Sequence, residues 1–357
     1  MVVTRMVASA CNGRGQEMPD KLDDVARLAG VSAATVSRAL RGVPGVAERT
    51  RTRVLAAAAE LGYAISPAAS SLATGRTGTV GVIVPYVDRW YFARLISGVE
   101  RVLRDAGLSL LLYNLGDDPG RARFFADLPL RRRVDAVLVL SLPLKESERE
   151  LLRGLGTPLV TIGTEEPGAD SVGIDDHGAA VTAMRHLVQL GHREIAFIGE
   201  NAPIPLGFTT PLRRLAAYRE VYHGACREDG RAPDPAFETG GGFTVAGGER
   251  AMGALLGLRR RPTAVFAASD EMAFGALRTL RRAGLRVPAD VSVLGFDDHD
   301  LADLLELSTV AQPVAELGER AGKLILARLS GGKIATSPSI LGTRLVLRGS
   351  TAPLAGR

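Results

Sequence analysis

From residue 21 to Gly62 the apolar positions recur at helical spacing. Val25, Leu28 and Ala29 fall at i, i+3 and i+4 and form one stripe of a short helix. Gly30 follows, the residue best able to end such a helix in the left-handed conformation. Ser32 stands where an N-cap belongs, ahead of a second short helix that turns Val36, Ala39 and Leu40 inward. A third segment, 51–61, puts Val54, Ala57, Ala58 and Leu61 on one face and stops at Gly62. Two short helices about a Gly-containing turn make a helix-turn-helix unit, and the small core of three is marginal by itself. Beyond Thr79 the rhythm changes. Strand-sized apolar runs at 80–84, 108–113, 136–140, 159–162, 195–198, 264–268 and 291–294 alternate with amphipathic stretches near 92–106, 178–190, 214–227, 246–258, 270–283 and 314–329. That βαβα order predicts parallel sheets with crossover helices. A region of roughly 280 residues exceeds one such core, so two lobes are expected.

Composition narrows the class. The chain is 46% hydrophobic and 23% charged, the balance of a folded globular protein rather than a disordered one. Its apolar runs fall far short of the ~20 residues that span a bilayer, so no membrane partner is expected. Cys11 and Cys226 are the only cysteines and the five histidines are scattered, which leaves no disulfide framework, no metal-ligand spacing and no implied cofactor. Residues 1–76 hold 10 Lys+Arg against 6 Asp+Glu, so +4 of the net +5 lies in the first fifth of the chain, where a polyanion would be met. Residues 1–17 have a broken apolar pattern around Arg5 and Arg14 and are expected to be a non-structural extension, with Met1 and Met18 both open as starts. A reducing cytoplasmic setting is expected.

The headpiece text Leu22-x-Asp24-Val25-Ala26-x-x-Ala29-Gly30-Val31-Ser32-x-x-Thr35-Val36-Ser37-Arg38 closely resembles the DNA-binding signature of the lactose-repressor (LacI/GalR) family. The resemblance implies that the helix beginning near Ser32 enters the major groove of double-stranded DNA and presents Ala33, Ala34, Ser37 and Arg38 to base edges. Arg38 suits a bidentate contact with guanine, and the alanine methyls suit thymine methyls. The hydroxyls of Ser32 and Thr35, with Arg49, Arg51 and Arg53, suit phosphates. Residues 64–77 are rich in Ala, Ser and Gly, which by composition reads as a flexible linker. The resemblance implies instead a hinge that becomes helical on the operator and wedges Leu72 into the minor groove. Ile65 and Ser70 depart from the proline and arginine common there.

The resemblance continues to about residue 350, and that region also resembles periplasmic sugar-binding proteins. It implies a mixed α/β architecture: an N-terminal three-helix helix-turn-helix headpiece (18–63), the hinge (64–77), a bilobal sensor of two doubly wound parallel-sheet lobes (78–350) and a tail (351–357). In doubly wound sheets ligands bind beyond the carboxyl ends of the strands. By the resemblance, Arg214 in Leu212-Arg213-Arg214-Leu215-Ala216-Ala217-Tyr218 holds ligand hydroxyls or a carboxylate. Ser269 and Asp270 stand in Ala268-Ser269-Asp270-x-x-Ala273-x-Gly275, where Asn-Asp is usual, and Asp297 in Gly295-Phe296-Asp297-Asp298 accepts hydroxyl protons. Phe243 is placed to stack on a sugar face, and Asp175-Asp176 stands where Asp-Asn is common. Arg89-Trp90-Tyr91-Phe92 replaces an Asn-Pro-Phe-Phe pattern, and the added cation there favours an anionic or highly hydroxylated ligand.

The expectation is therefore a non-enzymatic transcription regulator, by default a repressor. A homodimer would grip a near-palindromic operator, and a small molecule, by resemblance a sugar or derivative, would set operator affinity from the cleft between the lobes. Two alternatives stand beside it. A solute receptor without DNA function would have no headpiece. A sugar-processing enzyme would draw on the acidic cluster Asp297, Asp298, Asp300 and Asp303, but clustering does not place two carboxylates across a cleft.

Overall fold

The computed structural model describes residues 22–40, 44–63, 75–200, 205–333 and 337–354. The chain divides into two compact units, Met1–Arg76 and Thr77–Arg357. In the first, α1 (Leu22–Ala29), α2 (Ala33–Leu40) and α3 (Glu48–Glu60) pack around Val25, Ala26, Ala29, Val36, Ala39, Val54, Ala57 and Ala58. Gly30 has φ +62°, and the Val31 N–H reaches back to the Ala26 carbonyl at 3.0 Å, which closes α1. The third helix begins three residues earlier than its apolar pattern predicts, because Glu48, Arg49 and Thr50 form a polar first turn that hydrophobic spacing does not report. The predicted extension 1–17 and most of the predicted hinge, Leu72 included, lie outside the described residues.

The second unit holds two sheets of one design. The first joins β1 (Thr79–Val84), β2 (Ser109–Asn114), β3 (Ala136–Leu140), β4 (Leu159–Ile162), β5 (Asp170–Ile174) and β11 (Ser339–Leu341) in the order 11-5-4-3-1-2. The second joins β6 (Ile195–Gly199), β7 (Glu238–Gly240), β8 (Ala264–Ala267), β9 (Ser292–Asp297), β10 (Ser308–Ala311) and β12 (Arg344–Val346) in the order 12-10-9-8-6-7. Every pairing is parallel except β10 with β12. The central strands read as unbroken apolar runs because both faces are covered: Val82, Val84 and Leu138 enter one cluster, while Ile83, Val137 and Val139 enter another.

The helices α4 (Trp90–Asp105), α5 (Asp118–Asp127), α6 (Glu146–Arg153) and α11 (Val314–Leu329) belong with the first sheet. The second sheet carries α7 (Asp176–Gln189), α8 (Thr210–Glu228), α9 (Val245–Leu256) and α10 (Asp270–Arg282). Apolar rhythm missed α5 and α6. The first is a short helix with little amphipathic character, and the second carries Glu146, Glu148, Glu150, Arg149 and Arg153 in eight residues. It also missed β5, β7, β10, β11 and β12, whose Gly, Ser and Thr content or three-residue length leaves no run to detect. In each lobe one helix pair meets backbone to backbone. A Cβ on Gly318 would lie 2.2 Å from the Leu95 carbonyl oxygen, and one on Gly248 would lie 2.1 Å from that of Met272, so only glycine permits these approaches.

The described part of the tail, 351–354, is tied to the second lobe by hydrogen bonds. Ser350 accepts from Val293 N–H through its carbonyl, Ala352 N–H donates to Ser292, and Leu354 N–H donates to the Leu190 carbonyl. Among the described residues no helix is long and apolar enough to cross a membrane.

Candidate functional site

In the headpiece, Thr35 N–H donates to Ser32 Oγ at 3.2 Å, and the two hydroxyls lie 2.9 Å apart. Ser32 thus caps α2, and both hydroxyls are engaged locally. Ala33 leans onto the small core, whereas Ala34 and Arg38 are exposed one helical turn apart, with Ser37 half-buried between them. The outward face of α2 is therefore Ala34, Ser37 and Arg38. Arg49 is exposed on the first turn of α3, and Arg51 is half-buried 3.9 Å from Glu48.

The larger site is a cleft of about 160 Å³ in the second unit. A cavity of ~150 Å³ takes a benzene-sized guest, so there is room for a six-membered ring. The lining follows from topology, since it comes from the carboxyl ends of strands in both lobes. Tyr86 follows β1, Ser141 β3, Gly163 β4, Asp176 β5, Glu200 β6, Phe243 β7, Ser269 β8 and Gln312 β10, while Asp297 ends β9.

Arg214 on α8 forms the centre of the second-lobe wall. It is 4% exposed; its Nε–H and Nη2–H donate to Asp176 Oδ1 at 2.9 and 2.7 Å, and its Nη1–H donates to the Ala268 carbonyl at 2.6 Å. The guanidinium lies 3.5 Å over the Phe296 ring. Asp297 is 3.8 Å from Arg214 Nη1 and accepts from Gln312 Nε2 at 2.5 Å. Burial pushes the Asp297 carboxyl well above the usual carboxylate range, against the pull of Arg214. A shift in this direction favours the protonated carboxyl, which can donate to a hydroxyl as well as accept from one.

The two sequence motifs of this lobe interlock. A Cβ on Gly295 would lie 2.1 Å from Asp270 Oδ1, so the glycine makes room for that carboxylate. Asp270 is fully buried and accepts from Thr309 Oγ1 at 2.7 Å and His299 N–H at 2.8 Å. It fixes the turn on which Asp297 and Asp298 hold φ of 129° and 58°. Phe296 is then the platform for Arg214, and Asp298 accepts from Arg348 at 2.8 Å.

The first-lobe wall is aromatic. Arg89 lies 4.0 Å over the Tyr86 ring, and Tyr86 and Phe92 stand 6.1 and 6.5 Å from Phe208. Trp90 reaches the opposite lobe: its Nε1–H donates to Asp300 at 3.0 Å and its ring lies 4.6 Å from that of His299. Glu271 of α10 accepts from the Trp90 backbone N–H and pairs electrostatically with Arg89, so one lobe caps a helix of the other. The return contact is a strap after β6. Leu206, 1% exposed, sits in the first-lobe cluster of Leu115, Phe124, Leu130 and Leu142. Its carbonyl accepts from buried Arg121, which also pairs with Glu148 at 2.6 Å.

Seven of the nine residues expected at an effector site line the cleft: Arg89, Trp90, Tyr91, Arg214, Phe243, Ser269 and Asp297. Asp175 and Asp270 do not. Asp175 caps α7 through Gly178 N–H at 2.9 Å, and it is its neighbour Asp176 that faces the cleft. In an Asp-Asp pair at a strand-to-helix junction the first residue takes the cap, a signal the sequence did carry. Tyr86, Glu200, Phe208, Glu271 and Gln312 were missed; Tyr86, Glu200 and Gln312 each lie within two residues of a strand end and belong to no quoted motif. Among the described residues no three His, Cys, Asp or Glu side chains converge as a metal site, and the acidic cluster 297–303 is divided between Gln312, Arg348 and Trp90.

Comparison with known proteins agrees with this geometry. The profile of the lacI family of bacterial regulatory proteins matches residues 21–66, and that of a periplasmic binding protein-like domain matches 184–351. The HTH-type transcriptional repressor CytR of Escherichia coli (strain K12) is 36% identical over 346 residues, 95% of this chain and 98% of that protein. A solved lac repressor dimer bound to operator and the anti-inducer ONPF superposes with a TM-score of 0.80 at 26% identity, over 94% of this chain and 99% of that one. The transcriptional regulator CelR in complex with cellobiose gives a TM-score of 0.67 at 32% identity, over 92% and 99%.

Proposed function

Because the chain belongs to the lacI family of bacterial regulatory proteins, and so is a DNA-binding transcription regulator, we propose that it is a repressor whose operator affinity is set by a sugar-like molecule bound between its lobes. The observation that supports this is the pairing, in one chain, of an outward Ala34–Ser37–Arg38 face with a cleft centred on Arg214. Two headpieces of a homodimer would occupy half-sites of a near-palindromic operator, joined to the sensors through residues 64–77 with Leu72 as the minor-groove wedge. Arg38 would read a guanine while Ser32, Thr35, Arg49 and Arg51 hold backbone phosphates.

The cleft has the composition of a hydroxyl-binding site. Aromatic rings on one wall offer apolar faces for a sugar ring, and the opposite wall offers Asp176, Asp297 and Gln312 for its hydroxyls. Asp176 and Asp297 both face Arg214 from one lobe, 2.7 and 3.8 Å away, rather than flanking a scissile bond, so we infer binding without turnover. A ligand touching both walls has a different affinity for open and closed lobes, which is what coupling to DNA requires; a coupling of about 1–3 kcal/mol would be ordinary.

The test begins with selection of an operator from a randomised duplex library. Arg38→Ala is expected to cost about 1–3 kcal/mol and to relax preference at one base pair. Unchanged preference in that variant would remove Arg38 from base reading, and an absence of any selected sequence would end the proposal.

A further inference from the structure

The cleft has a charge balance that narrows its ligand beyond the sugar class proposed above, and the argument rests on that reading. Six ionisable side chains other than tyrosine line it: Arg89 and Arg214 against Asp176, Glu200, Glu271 and Asp297. Of the two guanidiniums, that of Arg214 is already committed. Arg214 donates from all three of its nitrogens to Asp176 and to the Ala268 carbonyl, and its face is covered by Phe296 at 3.5 Å. Three of its five N–H groups are spent in this way, which weakens it as a two-pronged grip for a phosphate. Arg89 lies over the Tyr86 ring at 4.0 Å and feels Glu271 of the other lobe electrostatically, so it is one cation set against the four carboxylates of the cleft.

The helix ends tell the same story independently. An N-terminus aimed into a cleft is the usual cradle for an anion, through its free N–H groups and dipole. Here α7 is capped by Asp175 and carries Asp176 in its first turn, while α10 is capped by Ser269 and carries Asp270 and Glu271. The third, α9, is capped by Thr244. At these three helices the positions where a phosphate would sit are filled by the protein's own carboxylates and hydroxyls; α8, which begins at Thr210 with no side-chain cap, is the exception.

We infer that the cleft selects an electrically neutral, hydroxyl-bearing ligand and turns away the phosphate ester of the same compound. Even leaving Asp297 out of the count, three carboxylates face two guanidiniums, so a dianion meets net repulsion at short range. Glu200 and Glu271 are the specificity residues in this scheme, because neither belongs to the Arg214 network that holds hydroxyls. The regulator would then report the free compound and ignore its phosphorylated form.

The full chain should be titrated with matched pairs: ribose, glucose and adenosine, each against its terminal phosphate ester. Trp90, the single tryptophan and itself in the cleft, gives the fluorescence signal. In at least one pair the neutral member is expected to bind on the order of 100-fold more tightly, since misplaced like charge costs several kcal/mol. Raising salt should narrow that gap, and so should Glu200→Gln and Glu271→Gln, with Glu200→Gln sparing the Trp90 contact between lobes. A phosphate ester that binds as well as its parent overturns the inference and leaves the effector reading standing. If no member of any pair binds a chain shown to be folded by circular dichroism, the sugar reading and this inference fall together.

Discussion

The two lobes of the sensor have the same strand order, 2-1-3-4-5-11 in one and 7-6-8-9-10-12 in the other, yet they turn different chemistry to the cleft. The first lobe offers Tyr86, Trp90, Tyr91 and Phe92; the second offers Asp176, Arg214, Ser269, Asp297 and Gln312. The fold decides only where the site lies. What the site does is decided by a few residues that the fold's core does not need. The difference also separates two kinds of energetic cost. Removing an aromatic from the first wall takes away contact area and leaves nothing charged behind. Removing a charge from the second leaves its partner buried and uncompensated.

The largest expected effect tests that asymmetry directly. Arg214→Ala leaves Asp176 and Asp297 facing each other with little solvent, and should destabilise the sensor by about 3–5 kcal/mol as well as abolish the effector response. Urea denaturation measures the first and operator release by the effector the second. Adding Asp176→Asn to Arg214→Ala should recover part of the stability, because it removes the stranded charge. A loss no greater than that of a first-wall aromatic would break the contrast between the lobes.

Leu206→Ala comes next. Among the described residues, that side chain is the second lobe's one fully buried anchor in the first-lobe cluster Leu115, Phe124, Leu130 and Leu142, and its truncation should cost about 3 kcal/mol. The strap leads within eight residues to Arg214, so freeing it should also speed effector exchange, read by stopped-flow Trp90 fluorescence. Unchanged exchange rates would make the strap a packing element only. Trp90→Phe is milder. It removes one half-exposed hydrogen bond to Asp300, worth about 1 kcal/mol, and should weaken effector binding while leaving the denaturation midpoint nearly in place. A midpoint shift as large as that of Leu206→Ala would show the aromatic wall to be structural after all.

How much of this was legible follows from where each signal lies. The headpiece could be read almost residue by residue, because its contacts are local: Gly30 ends α1 and Ser32 caps α2 within a dozen positions. The central strands were legible because double-sided burial leaves unbroken apolar runs such as Val82–Val84. The edge strands β7, β11 and β12, three residues each, leave no such trace. At the cleft, Arg214 and Asp297 could be identified from motifs, but the division of labour inside those motifs could not. Asp270 and Asp297 look alike as sequence. Only the packing of Gly295 against Asp270 shows that one carboxylate builds the turn and the other faces the ligand. Glu271 and Trp90 meet across 181 positions, beyond any local pattern.

That buried Asp270 yields the subtlest prediction, because its cost depends on pH. Burial raises its carboxyl to about 6, although Thr309 and the His299 N–H stabilise the anion. In the unfolded chain the same group ionises near ~3.9. A folded-state value above the unfolded one means the native protein binds the proton more tightly, so the stabilising contribution is present in acid and is lost as pH rises through about 6. His186, His192 and His299 act in the opposite sense. Burial lowers all three, so their contribution is complete above the unfolded histidine value of ~6.5 and fades as pH falls below it. The two trends overlap in mild acid and mask each other in the wild-type curve. Asp270→Asn removes one of them. Whatever constant cost the altered hydrogen bonds impose, the variant should gain on wild type between roughly pH 4 and 6 and run parallel to it above ~7. Urea midpoints of the two proteins across that range give the difference curve. A flat difference would mean that Asp270 ionises in the native sensor as readily as in the unfolded chain, and the turn beneath Asp297 would then have to be held by a charge rather than by a proton.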